Sequence, residues 1–123
     1  MQSQRKYDGS ETTGFMSPAR DHVDGVIDLT ALLDLRRPSR YLVRVRGGGL
    51  ATLDIKDGDI LVTDAALKPG PGSVVITIDG DQTRLAVCER HEGRLRLRTA
   101  RGLLDEEGAE IWAVAVGLIR ERL

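Results

Sequence analysis

The sequence has few aromatic residues, one cysteine and no long apolar run, and each shortage excludes a class of protein. Aromatic residues make up only 3% of the 123 residues, so a core must be built from aliphatic side chains. The single Cys88 excludes an internal disulfide and fits a reducing compartment. No apolar run approaches the roughly 20 residues that a membrane-spanning helix requires. We therefore expect a soluble, cytoplasmic protein that does not contact a membrane.

Excess positive charge is also lacking. The formal net charge is -1, whereas a protein that holds nucleic acid through phosphate contacts is usually strongly basic. We therefore expect no direct binding to nucleic acid. The cysteine and the two histidines, His22 and His91, have no spacing that favours zinc, and we expect no metal and no cofactor.

The length suits one folded domain preceded by a polar segment. Residues 1–24 show neither helical nor strand periodicity and read as a flexible N-terminal arm. Residues 25–123 carry the apolar patterning of a folded domain. In that part, Asp28 is placed to cap a short helix that Pro38 would end.

Short alternating or β-branched segments separated by glycine and proline predict about six or seven strands. The fold class is therefore mainly β, a small antiparallel and partly rolled β domain with one short helix. The apolar run at 110–118 fits either a buried strand or a helix, and its neighbouring strands and Gly117 favour a strand. The predicted strands are 41–46, 60–62, 74–78, 83–89 and 94–99.

One segment carries a more specific pattern. A predicted strand at 41–46 runs into Gly47-Gly48-Gly49-Leu50, and the acidic turn Asp57-Gly58-Asp59 then leads to another strand. This layout resembles the S24 self-cleaving peptidase domain of UmuD and LexA, in which the loop carries a serine followed by methionine. Here Gly49 stands at the serine position and Leu50 at the methionine position, with Gly47 and Gly48 completing the substrate loop.

The arm extends the resemblance. Thr13-Gly14-Phe15-Met16-Ser17-Pro18-Ala19 is similar to the segment of UmuD-type arms that contains the self-cleavage bond. The resemblance implies a relic cleavage bond between Thr13 and Gly14.

The resembled enzymes activate their serine with a neutral lysine amine. That lysine would align with Leu85, and the lysines of this chain are Lys6, Lys56 and Lys68, all of which precede the predicted strand that contains Leu85. Arg84 cannot replace it, because a guanidinium stays protonated. The resemblance therefore implies a pseudo-peptidase that has lost both nucleophile and base.

For function, the resemblance implies an interaction protein of the SOS response to DNA damage, connected with translesion synthesis and mutagenesis. The expected partners are a second copy or an active UmuD-like protein, a Y-family translesion polymerase and the RecA filament.

Two alternatives remain open. One is a hydrolase with a relocated nucleophile at Ser17, Ser73 or Cys88. The other is a LexA-type dimerisation domain that regulates transcription through a partner, since the 13 residues before Gly14 are too few for a helix-turn-helix. The basic stripe at Arg94, Arg96 and Arg98 favours an exposed strand face over a contact with nucleic acid.

Overall fold

The computed structural model describes residues 23–104 and 110–122. They form one seven-stranded antiparallel sheet with the strand order β1-β2-β7-β3-β4-β5-β6. The sequence-based prediction of a mainly antiparallel β domain with one short helix is confirmed. The helix is α1 (Leu29–Leu32), and the strands are β1 (Arg40–Arg44), β2 (Ile60–Asp64), β3 (Val74–Asp79), β4 (Gln82–His91), β5 (Arg94–Thr99), β6 (Gly102–Leu103) and β7 (Glu110–Ile119).

Helix α1 begins as its sequence predicts. The Asp28 carboxylate accepts hydrogen bonds from the main-chain N–H groups of Thr30 and Ala31, which have no partner inside the helix. Side-chain packing is light, since Leu29 and Leu32 stay exposed. Leu33, directly after the helix, lies over the sheet at Gly117.

Strand β7 settles the ambiguity of the apolar run near the C-terminus, and the preference for a strand is confirmed. It lies between β2 and β3 at the centre of the sheet. Register shifts on both of its sides mark β-bulges, which increase local twist and let a sheet roll. The Trp112 ring lies 5.3 Å from that of Tyr41 on β1.

The apolar core lies on both faces of the central strands. Alternate residues of a strand point to opposite faces, and the neighbours Val74 and Val75 accordingly join two different clusters. One cluster consists of Val75, Ala86, Cys88, Leu97 and Val114. The other consists of Val45, Leu50, Ile55 and Leu61, with Val74, Leu85, Val87 and Ala115 packed against it. Because this second cluster includes the loop between β1 and β2, the core holds that loop in place.

Two elements were not predicted from the sequence: the strand β6 and a 3₁₀ helix at Ala51–Leu53. Most of the predicted arm, with Thr13 and Gly14, lies outside the described residues. Within the described part of the chain, no helix has the length and apolar character needed to cross a membrane.

Candidate functional site

The two positions singled out from the sequence, Gly49 and Leu85, line the same cleft. The cleft has a volume of about 540 Å³ and lies between the end of β1 and the start of β4. Residues 36 positions apart in the chain therefore line one cleft. Gly48 lines the same cleft, whereas Leu50 is buried in the core beside it.

The loop at Gly49 has a backbone shape that accepts only glycine. Gly49 has φ +63°, in the left-handed region, and a Cβ built on it would lie 2.2 Å from the main-chain oxygen of Ile55. The close approach arises because Leu50 and Ile55 exchange two main-chain hydrogen bonds, of 3.0 and 3.1 Å. A serine therefore cannot replace Gly49 unless the loop moves.

Leu85, at the position expected to hold the base, has an apolar environment. Leu85 packs against the buried cluster that contains Leu50 and Leu61. A leucine there adds aliphatic contacts, whereas an amine would need a hydrogen-bonding partner to offset its desolvation. Neither Gly49 nor Leu85 carries a hydroxyl or an amine.

The two aspartates of the acidic turn, Asp57 and Asp59, have different structural roles. The Asp57 carboxylate accepts a hydrogen bond of 2.8 Å from the Gly47 N–H and so fixes the start of the glycine run. Asp59 is 2% exposed, and its carboxylate forms two hydrogen bonds with Arg120, of 2.8 and 2.6 Å. Arg120, with a further contribution from the Lys56 N–H, lowers the pKa of Asp59 to about 2.

Arg120 directly follows β7 and contacts the loop between β1 and β2. Its guanidinium binds both Asp59 and the main-chain oxygen of Asp54, at 2.8 Å. It therefore ties the end of β7 to the loop that follows the glycine run. No local sequence pattern indicates this contact, because Asp59 lies 61 residues away from Arg120 in the chain.

Asp64 anchors the opposite end of β2. It is fully buried, its carboxylate accepts a hydrogen bond from the Ala66 N–H, and Arg40 donates to it at 3.0 Å. The Ala66 N–H, then the Ser39 hydroxyl and Arg40, lower the pKa of Asp64 to about 2. Among the described residues, no group of acidic, cysteine and histidine side chains is arranged to hold a metal ion.

Two of the alternative nucleophile candidates, Ser73 and Cys88, lie among the described residues. The Ser73 hydroxyl accepts a hydrogen bond from the Gly70 N–H in the turn before β3. Cys88 is buried in the core, and burial raises the pKa of its thiol, which disfavours the reactive thiolate. His91 is exposed beside Glu92. Ser17 and His22 lie outside the described residues.

The basic stripe on β5 is an exposed strand face, as the sequence favoured. Arg96 and Arg98 both bind Glu89 on the adjacent strand β4, at 2.9 and 2.8 Å. Arg98, followed by Arg96, lowers the pKa of Glu89 to about 2. Two of the three guanidinium groups thus have a partner within the sheet.

Comparison with known proteins identifies the family of the chain. The profile of the Peptidase S24-like family matches residues 6–107. The chain belongs to this family. Among its S24-family relatives, SamA of Salmonella typhimurium is 37% identical over 111 residues, which cover 88% of this chain and 79% of SamA.

Two further relatives match over shorter parts of their own length. ImpA of Escherichia coli is 37% identical over 71 residues, 57% of this chain. The LexA repressor of Cupriavidus taiwanensis is 32% identical over 108 residues, 83% of this chain. The chain spans about half the length of these two relatives, 49% in each case. The resemblance to the UmuD- and LexA-like S24 proteins is therefore confirmed at the level of the family.

Proposed function

We propose that this S24-family chain is a UmuD-like protein of the SOS response that acts by protein–protein interaction and does not cleave peptides. One observation carries the proposal: Gly49 and Leu85 line one cleft and supply neither a hydroxyl nor an amine. A serine-lysine peptidase needs both groups within hydrogen-bond reach of each other.

The backbone supports the same proposal independently of the side chains. With Gly49 at φ +63° and 2.2 Å between its ideal Cβ position and the Ile55 oxygen, the loop has a conformation that a serine does not fit. The loss of catalysis therefore extends to the main chain of the loop, and a single reversion would not restore it.

The assignment to the SOS response rests on the relatives. ImpA, SamA and the LexA repressor each match with at least 32% identity. By this resemblance, the partners are a second copy or an active UmuD-like protein, a Y-family translesion polymerase and the RecA filament. The chain would contribute binding surfaces to such assemblies without being consumed by self-cleavage.

The proposal is tested by mixing the purified chain with a catalytically active family member and with RecA filament on single-stranded DNA. We expect a stable complex by size-exclusion chromatography and no cleavage product that depends on this chain as the enzyme. The active member alone, under the same conditions, controls for its own cleavage.

A second readout concerns the arm as substrate. If the partner subunit cuts it in trans, mass spectrometry will find a fragment that starts at Gly14 only when the active member is present. The interaction role requires a complex with the active member or with the RecA filament. A folded chain that binds neither of them contradicts it.

A further inference from the structure

The α1 segment, residues 28–38, is attached to the sheet at few points. None of the four residues of helix α1 is buried, and the side chains of Leu29 and Leu32 are 46% and 64% exposed. A helix this short is unstable by itself in water, since most helical stability comes from the packing of an apolar face. The attachment points of the segment therefore decide whether it stays folded on the sheet.

One attachment is apolar and is made by Leu33. Gly117 of β7 lies opposite Val62 of β2, and its missing side chain leaves space on that face of the sheet. The Cδ2 atom of Leu33 lies 3.6 Å from the position that a Cβ on Gly117 would take, which is ordinary van der Waals contact. Leu33 is therefore the side chain that seats the segment on the sheet.

The second attachment is polar and is made by Arg40 at the start of β1. The Arg40 guanidinium donates to the main-chain oxygen of Leu33 at 2.7 Å and to the buried Asp64 carboxylate at 3.0 Å. Arg37 donates to the same carboxylate at 3.5 Å and binds Asp34 within the segment at 3.0 Å. Because Arg40 is only 15% exposed, water competes little for its hydrogen bonds. Arg40 thus holds the main chain of Leu33 beside β2.

Hydrogen bonds inside the segment are local. The N–H groups of Leu33 and Leu35 donate to main-chain oxygens four and five residues earlier in the chain, both at 3.0 Å. The strand that follows is held differently, since β1 pairs with β2 along its whole length, and the Ala65 N–H donates to the Ser39 oxygen at 2.9 Å. A segment with its own hydrogen bonds and few buried contacts is typical of a unit that opens locally.

We propose that the α1 segment opens from the sheet as one unit while the strands stay folded. Opening breaks the hydrogen bond between Arg40 and the Leu33 oxygen, removes the Leu33 side chain from Gly117, and uncovers the sheet there. It also frees residues 28–38, which span at most about 40 Å when extended. A partner that holds the residues before Asp28 can then move away from the sheet without unfolding it.

Hydrogen exchange of single main-chain N–H groups, measured by NMR on the full chain at low urea concentrations, tests the proposal. The N–H groups of Leu33 and Leu35 should share one opening constant, at least about a hundredfold larger than that of the N–H groups in β2 and β7. Urea should hardly change exchange in the segment, because local opening exposes little surface, but it should accelerate exchange in the strands. Equal opening constants and equal urea dependence in segment and strands would overturn the proposal. Exchange of the segment at the rate of an unfolded chain would overturn it as well.

Two leucine variants test the attachment point. Leu33→Ala should increase the opening constant of the segment about tenfold, because it removes the contact at Gly117. Leu32→Ala is the matched control: it makes the same truncation at the exposed neighbouring position and should leave the opening constant within about twofold. Equal effects of the two variants would contradict the role of Leu33.

A third variant separates opening of the segment from unfolding of the sheet. Ile76→Val shortens a buried side chain of β3 and should accelerate exchange in the strands about fivefold. Exchange in the segment should stay within about twofold, because the sheet is folded whether the segment is closed or open. Equal acceleration in segment and strands would show that the segment opens only when the whole sheet unfolds, and the proposal would fail.

Discussion

At the scale of single residues, the decisive feature is the difference in space around the adjacent residues Gly48 and Gly49. A Cβ on Gly48 would meet nothing within 4 Å, whereas one on Gly49 would lie 2.2 Å from the Ile55 oxygen. Gly80, in the turn between β3 and β4, has nearly the same φ as Gly49, +66° against +63°, but open space around it. Substitutions at Gly48, Gly80 and Gly49 can therefore separate the cost of backbone strain from the cost of steric contact.

Alanine substitutions test this reading of the loop. Gly48→Ala should change the free energy of unfolding by no more than about 0.5 kcal/mol. Gly80→Ala should cost about 1–2 kcal/mol for the left-handed conformation alone. Gly49→Ala should cost at least about 1 kcal/mol more than Gly80→Ala, because the contact with Ile55 adds overpacking. Chemical denaturation measures all three.

The order of the three variants decides the outcome. If Gly49→Ala is no more destabilising than Gly80→Ala, the loop accommodates a side chain, and the structural argument against serine at this position fails.

At the scale of elements, an ion pair connects the last strand to the loop that contains Gly49. Arg120 follows β7 and binds Asp59, which directly precedes β2. The Asp59 pKa is about 2 in the fold, against an ordinary value of 3.8. A carboxyl with a lowered pKa stabilises the fold above its unfolded pKa, and that contribution is lost as pH falls through the folded value.

Acid unfolding tests the ion pair. The native chain should lose stability as pH falls from about 4 towards 2, since Asp59, Asp64 and Glu89 all have pKa values near 2 in the fold. Arg120→Gln should lower the melting temperature at neutral pH and reduce the stability lost over that window, because Asp59 loses the main contact that favours its charged form. Thermal unfolding at a series of pH values measures both effects.

Arg122→Gln is the matched control, because Arg122 is exposed and two residues further along the chain. It should leave the melting temperature and its pH dependence close to those of the native chain. Equal effects of the two variants would show that general charge, and not the pair with Asp59, sets the acid stability.

At the scale of the whole molecule, the sequence predicted most of the sheet. Strand periodicity and turn residues indicated six of the seven strands, and the Asp28 cap located the helix. These features are local, so they are visible within a few residues. The two-residue strand β6 is too short to show periodicity, and the glycine run contained no sign of the 3₁₀ helix after it.

The same distinction between local and long-range features applies to the candidate site. Family resemblance placed Gly49 and Leu85 together, and both line the cleft. The partner of Arg120 depends on contacts between distant segments, which no local pattern encodes. The backbone constraint at Gly49 depends likewise on how closely Ile55 approaches it.

The most direct test of the central claim is intact-mass spectrometry of the purified full chain after incubation with RecA filament, from neutral to alkaline pH. The native chain should keep its full mass throughout, and so should Gly49→Ser/Leu85→Lys, because the loop at Gly49 does not admit the serine. A fragment that begins at Gly14, released from the native chain alone, would contradict the claim that this S24-family protein has lost its catalytic function.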